Sequence, residues 1–146
     1  MSTVRNILKS KGNAVFSIPP SATVLDALEM MAEKGCGAIL ITENDQIVGI
    51  FSERDYARRV VLQGKTERAK ITDVMTKDIF YVSPQQTADE CMAQMTDKHI
   101  RHLPVVEDGK LVGVISIGDL VKTVISQQQN LINSLENYIT GKDYNR

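Results

Sequence analysis

The chain has 146 residues, 42% of them apolar, a formal net charge of −1 and a pI of about 6.1. That is enough to bury a core as one domain or two small half-domains. It excludes a globally basic surface for a nucleic-acid backbone, and the seven aromatic residues (Phe 3, Tyr 4, Trp 0) leave few faces for base stacking. The longest apolar runs are strand-sized, well below the ~20 residues of a membrane helix, and Met1-Ser2-Thr3-Val4-Arg5-Asn6 lacks an apolar signal segment. A cytoplasmic location is therefore expected, with neither a membrane nor a nucleic acid as partner. Cys36 and Cys91 form no CxxC pattern and read as small core residues rather than a disulfide or zinc framework. His99 and His102 would share a helix face but lack an acidic or Cys partner at ligand spacing, so no metal site is expected.

Residues 1–14 form an N-terminal segment whose Lys/Gly/Asn-rich end, between Lys9 and Ala14, reads as a loop. Val15–Ile18 is a short β-rich run stopped by Pro20. Thr23 is a natural N-cap for a helix in which Val24, Leu28 and Met31 fall at helical spacing, ending at Lys34-Gly35. Ala38–Thr42 and Ile47–Phe51 are apolar strands joined by Glu43-Asn44-Asp45-Gln46, and a helix runs from about Glu53 to Gln63. A charged linker, 64–70, follows. The order then recurs: a strand over Ile79–Val82, a helix capped by Thr87, a hairpin turning at Asp108-Gly109, and a helix from about Gly118. This last helix keeps its apolar period through Leu131, Ile132, Leu135, Tyr138 and Ile139 to Gly141. The oily face needs something to lie on, either its own module or a second subunit, and a subunit contact is the expectation.

The repetition is explicit. Residues 16–61 align without a gap on 80–125, with eleven identical pairs. These are Phe16/Phe80, Pro20/Pro84, Thr23/Thr87, Met31/Met95, Lys34/Lys98, Glu43/Glu107, Val48/Val112, Gly49/Gly113, Ser52/Ser116, Asp55/Asp119 and Val60/Val124. A shorter echo pairs Val4–Leu8 with Ile71–Met75.

The most informative repeated unit is Gly49-Ile50-Phe51-Ser52-Glu53-Arg54-Asp55 and its copy Gly113-Val114-Ile115-Ser116-Ile117-Gly118-Asp119. Each reads as a buried strand, a Ser able to cap a helix, and an Asp three residues on. The hydroxyl and free N–H groups at such a helix start suit an anion, and the carboxylate suits a ribose diol, so the pair points to a nucleotide. The same spacing is also a capping box that needs no ligand.

These motifs, with Val82-Ser83-Pro84 and Thr87, His99-Ile100-Arg101-His102-Leu103-Pro104-Val105-Val106, and their first-half counterparts, resemble a tandem pair of cystathionine-β-synthase-type (CBS) domains, a Bateman module. The resemblance covers about residues 4–126. It implies an α/β (α+β) fold of two β-α-β-β-α motifs, residues 15–63 and 71–126, packed with pseudo-twofold symmetry, followed by a helical extension over 127–146. It further implies a regulatory module rather than a catalyst, with AMP, ADP, ATP, NAD or S-adenosylmethionine bound in two clefts and further association into a dimer. Asp55 and Asp119 would hold ribose, and Ser52 and Ser116 phosphate. Adenine would lie against Phe16, Cys36, Gly37 and Ala38 in one cleft and Phe80, Ile100 and Arg101 in the other, with Arg101 and His102 toward phosphate.

The halves are not equivalent. Gly37-Ala38 stands where the second half has Arg101-His102, and Leu40 where it has Pro104. Arg54, inside the first Ser-x-x-Asp, is a candidate phosphate ligand. Arg58 and Arg59 follow it, on what is otherwise a solvated basic face. One cleft is thus expected to take a monophosphate and the other a longer ligand. The alternatives to a sensor of adenine nucleotides acting on a partner protein are an oligomerisation module with degenerate sites and a nucleotide-acting enzyme. The chain has neither a Walker loop nor a Gly-x-Gly-x-x-Gly.

Overall fold

The computed structural model describes residues 2–140; Gly141 and the rest of the expected extension lie outside the described residues. The chain opens with α1 (Val4–Lys11), β1 (Ser17–Ile18), α2 (Val24–Lys34), β2 (Ala38–Glu43), β3 (Gln46–Ser52) and α3 (Glu53–Asp55). From α3 the helix continues, π-wound, over Tyr56–Val61. A 3-10 turn at Ile71–Asp73 leads to α4 (Ala88–Lys98), β4 (His102–Glu107), β5 (Lys110–Ser116) and α5 (Ile117–Thr140).

Local chemistry sets these boundaries. Thr23 and Thr87 cap α2 and α4 through reciprocal bonds with Asp26 and Glu90, and Thr3 does the same for α1 with Asn6. Both hairpin turns use consecutive positive-φ residues, Asn44-Asp45 and Asp108-Gly109, whose twist matches the flanking strands. Each hairpin carries a register shift at the same place, Ile41/Thr42 and Val105/Val106.

The opening strands depart from expectation. In the first half only Ser17–Ile18 pairs, parallel to Leu40 and Ile41. In the second, the expected strand Ile79–Val82 shrinks to a single bridge between Val82 and Val105. The cause is Pro104. At the matching position the Leu40 N–H donates to the Phe16 carbonyl at 3.5 Å, whereas proline has no N–H to offer Phe80. A further correction concerns the two histidines: His99 caps the end of α4 in the left-handed region and His102 begins β4, so they share no helix face.

The echo between Val4–Leu8 and Ile71–Met75 marks a crossover. Ile71, Val74 and Met75 belong to the core of the first half, with Val24, Ile39, Ile41 and Phe51. Val4 and Ile7 belong to the core of the second, with Cys91, Leu103, Ile115 and Leu120. The hydrogen bonds repeat in the same sense: Val4 N–H donates to Gln86 O at 2.8 Å, and Ile71 N–H donates to Ala22 O at 3.0 Å. Each core thus takes in the short segment that precedes the other half. The two repeated glycines make room for it. A Cβ on Gly49 would stand 2.3 Å from Met75 Sδ, and one on Gly113 would stand 2.7 Å from Leu8 Cδ2. The halves meet through β3 and β5, and this seam positions the site.

Candidate functional site

Both Ser-x-x-Asp units form complete capping boxes. Ser52 Oγ accepts from the Asp55 N–H at 3.2 Å, and Asp55 Oδ2 accepts from Ser52 N–H at 2.9 Å and from its hydroxyl at 3.1 Å. Ser116 Oγ accepts from Asp119 N–H at 3.2 Å, and Asp119 Oδ2 accepts from Ser116 N–H at 2.8 Å. The capping role that the spacing left open is therefore realised at both places. These four side chains are half-buried, and each lines a cavity rather than bulk solvent or a dry core.

The two cavities are built crosswise. One, of about 480 Å³, joins Ser52, Arg54 and Asp55 of the first half to Phe80, Ile100 and Arg101 of the second. The other, of about 490 Å³, joins Phe16, Cys36 and Ala38 of the first half to Ser116 and Asp119 of the second. Gly37, Ile50 and His102 line both and form the partition. Every site residue expected from sequence lines at least one of the two. Their grouping is the new fact: Arg54 stands with Arg101 and Phe80, not with Gly37-Ala38 and Phe16 alone. Both volumes lie in the range of small-molecule sites. Each aromatic wall already has an ammonium near its ring, Lys34 Nζ 5.1 Å from the Phe16 centroid and Lys98 Nζ 5.0 Å from that of Phe80.

The two carboxylates have different company. Asp55 Oδ1 accepts from the Thr76 hydroxyl at 3.0 Å and lies 3.7 Å from Arg59 Nε. Asp119 Oδ2 takes Lys11 Nζ at 2.7 Å, while the same ammonium donates to Val114 O at 2.8 Å. In the first half the matching strand position, Ile50, is instead held by a backbone pair with Thr76, at 2.8 and 2.9 Å. Burial works to raise the Asp119 carboxyl, but the bonds from Lys11 and Ser116 outweigh it and hold its pKa below the ordinary value. Burial also lowers the His102 pKa; Asp119 and Glu53 oppose this, and Lys11 and Arg101 add to it. The imidazole is therefore neutral at pH 7. Cys91, on the buried face of α4, has its thiol pushed up to about 11 by burial and then by Glu90, as befits a packing residue.

Lys11 and Thr76 are the site residues that sequence reasoning missed. Each lies just beyond the segment that crosses to the other half, so the echo between Val4–Leu8 and Ile71–Met75 was the available signal.

A family model described as CBS domain matches residues 4–62 and 71–126. A solved protein with CBS domains from Burkholderia ambifaria is 50% identical, covering 87% of this chain and 96% of that one, with a TM-score of 0.84. CBS domain-containing protein CBSX3, mitochondrial, of Arabidopsis thaliana is 33% identical, covering 96% of this chain and 73% of the relative. The CBS domain pair of protein MJ0100, solved in complex with 5'-methylthioadenosine and S-adenosyl-L-methionine, shares the fold at a TM-score of 0.78 and 19% identity, covering 87% of this chain and 98% of that one.

Proposed function

The chain belongs to the CBS-domain family, and on that premise we propose that it is a non-catalytic regulatory module binding adenosine-containing nucleotides (AMP, ADP, ATP or NAD) in its two seam clefts. The observation that carries this reading is the pairing of each capped Ser/Asp helix start with an aromatic-walled cavity contributed by both halves. Nucleotide bound at about 100 times its dissociation constant would stabilise the occupied state by about 2.7 kcal/mol, enough to bias a coupled partner protein. The adenosine ligands of the MJ0100 complex are of the class proposed.

Ribose is assigned to Asp119 in particular, because Oδ2 takes both of its hydrogen bonds and Oδ1 is left to accept a hydroxyl. Calorimetry with AMP, ATP, NAD and adenosine tests the reading. Asp119→Ala is expected to weaken one site by about 1–3 kcal/mol, the cost of losing hydrogen bonds at a partly buried polar contact. Unchanged binding of all four ligands in that variant would remove the ribose assignment.

The reading extends to a homodimer or higher assembly built through the CBS pair and α5. Leu131, Ile132, Leu135 and Ile139 are 48–80% exposed along that helix, a face too apolar to be solvent-facing by design. A cytoplasmic location belongs to the same proposal; the Arabidopsis relative is named as mitochondrial, so imaging of the tagged protein decides. Among the described residues no helix is long and apolar enough to cross a membrane.

A second reading, an assembly module with vacant clefts, is favoured by one observation: both oxygens of Asp55 already have partners. It predicts a dimer that binds no nucleotide at all.

A further inference from the structure

The two clefts differ in charge more than in size. Four guanidiniums, of Arg54, Arg58, Arg59 and Arg101, and three carboxylates, of Glu53, Asp55 and Asp78, line the cleft of Asp55, an excess of one positive charge. Two are engaged within the fold: Arg54 donates to His99 O at 2.8 Å, and Arg59 donates to Met75 O at 3.0 Å. Arg58 and Arg101 make no hydrogen bond or ion pair among the described residues, and with Arg54 they line a further hollow of about 620 Å³ that continues the cleft outward past Thr96. The lining of the Asp119 cleft has a single ammonium, Lys11, already neutralised by that carboxylate at 2.7 Å, while the Lys34 ammonium is drawn to the Phe16 ring. Its remaining titratable neighbours are Cys36 and His102.

Resting on the nucleotide reading above, we propose that the clefts sort adenosine ligands by charge: the Asp55 cleft takes a polyphosphate chain on Arg58 and Arg101, and the Asp119 cleft takes the uncharged nucleoside. A guanidinium with no protein partner gains most from a multiply charged phosphate chain, since charge-assisted bonds are about twice as strong as neutral ones. The Lys11–Asp119 pair presents a net-neutral wall. A phosphate there would have to compete with Asp119 for the one ammonium in the lining, whereas a ribose diol needs only the open carboxylate oxygen. Burial keeps His102, the group shared by both clefts, from adding positive charge to that wall.

The test uses calorimetry on the whole chain with ATP and adenosine as probes. ATP is expected to bind once per chain, and protein saturated with ATP is expected still to take up one adenosine. The Arg58→Gln/Arg101→Gln double variant should lose at least about tenfold in ATP affinity while adenosine stays within about threefold. Asp119→Asn, whose cap amide keeps the helix start, should do the reverse. Exclusion of adenosine by ATP, ATP filling both clefts with one affinity, or equal losses for both ligands in the arginine variant would overturn the sorting while leaving the nucleotide reading in place. Failure of the unaltered protein to bind either probe would sink both.

Discussion

Replacing Gly49 by Ala tests the crossover directly. The new methyl would sit 2.3 Å from Met75 Sδ and 2.8 Å from its Cγ, where carbon–heavy-atom contacts normally settle at about 3.5–4.0 Å. Met75 cannot easily withdraw. It is 6% exposed, its N–H is held by Ile71 O at 2.9 Å, and the next residue is pinned to Ile50 on both sides. The φ of Gly49 is not positive, so the penalty is steric rather than conformational. Overpacking of this kind costs about 1–3 kcal/mol. Met75→Ala alone opens a cavity and costs about 2–5 kcal/mol. Combined, the added methyl occupies part of the space vacated, so the double variant should be more stable than the sum of the singles by at least about 1 kcal/mol. Urea unfolding of the four proteins, with slopes compared to confirm a common transition, measures the coupling. Strict additivity would refute the claim that Met75 packs into the Gly49 notch.

Acidification should destabilise the protein in two steps. His102, its pKa lowered in the fold, contributes no loss above its ordinary 6.5 and a growing loss below it; a flatter profile in His102→Gln between pH 6.5 and 5 checks this. Asp119, also lowered, stabilises above 3.8 and gives that up as pH falls through its folded value, a step absent in Asp119→Asn. Ile7→Ala, although near the start of the chain, should cost about 2–4 kcal/mol by denaturant unfolding, because Ile7 is a core residue of the second half rather than of a loose terminus. Leu131→Glu with Leu135→Glu should shift the sedimentation of the protein toward monomer while the chain stays folded, since neither side chain is buried within the chain itself; an unchanged assembly in that variant would remove α5 from the proposed interface.

Much of the fold was legible in the sequence because duplication prints every feature twice. The caps at Thr23 and Thr87, the turns at Asn44-Asp45 and Asp108-Gly109, and the strand before each Ser-x-x-Asp are local matters, and local chemistry decided them. What escaped was non-local. The sequence shows Gly49 and Gly113 as matched residues but not that Met75 and Leu8 fill the space above them. It offers Arg54 and Arg101 as candidate phosphate ligands but not that one cavity holds both. Lys11 looked like loop lysine, and only the distance to Asp119 makes it part of the site. Pro104 differs from Leu40 in plain view of the sequence, while its effect, erasing a strand by withholding one N–H, depends on which carbonyl faces it.

The exchange of short segments between the halves also orders events at the ribosome. By the time the hairpin ending at Ser52 has emerged, the first core still lacks Ile71, Val74 and Met75, so its apolar pocket stays open until the linker has been synthesised. The second core has the opposite history: its missing piece, Val4 and Ile7, is among the first chain made and must wait with its oily side uncovered for most of translation. Neither half can finish alone, and a nascent chain stalled in the linker would display the unfilled hollow of the first core and the unclaimed helix at once, the kind of surface that holdase chaperones recognise.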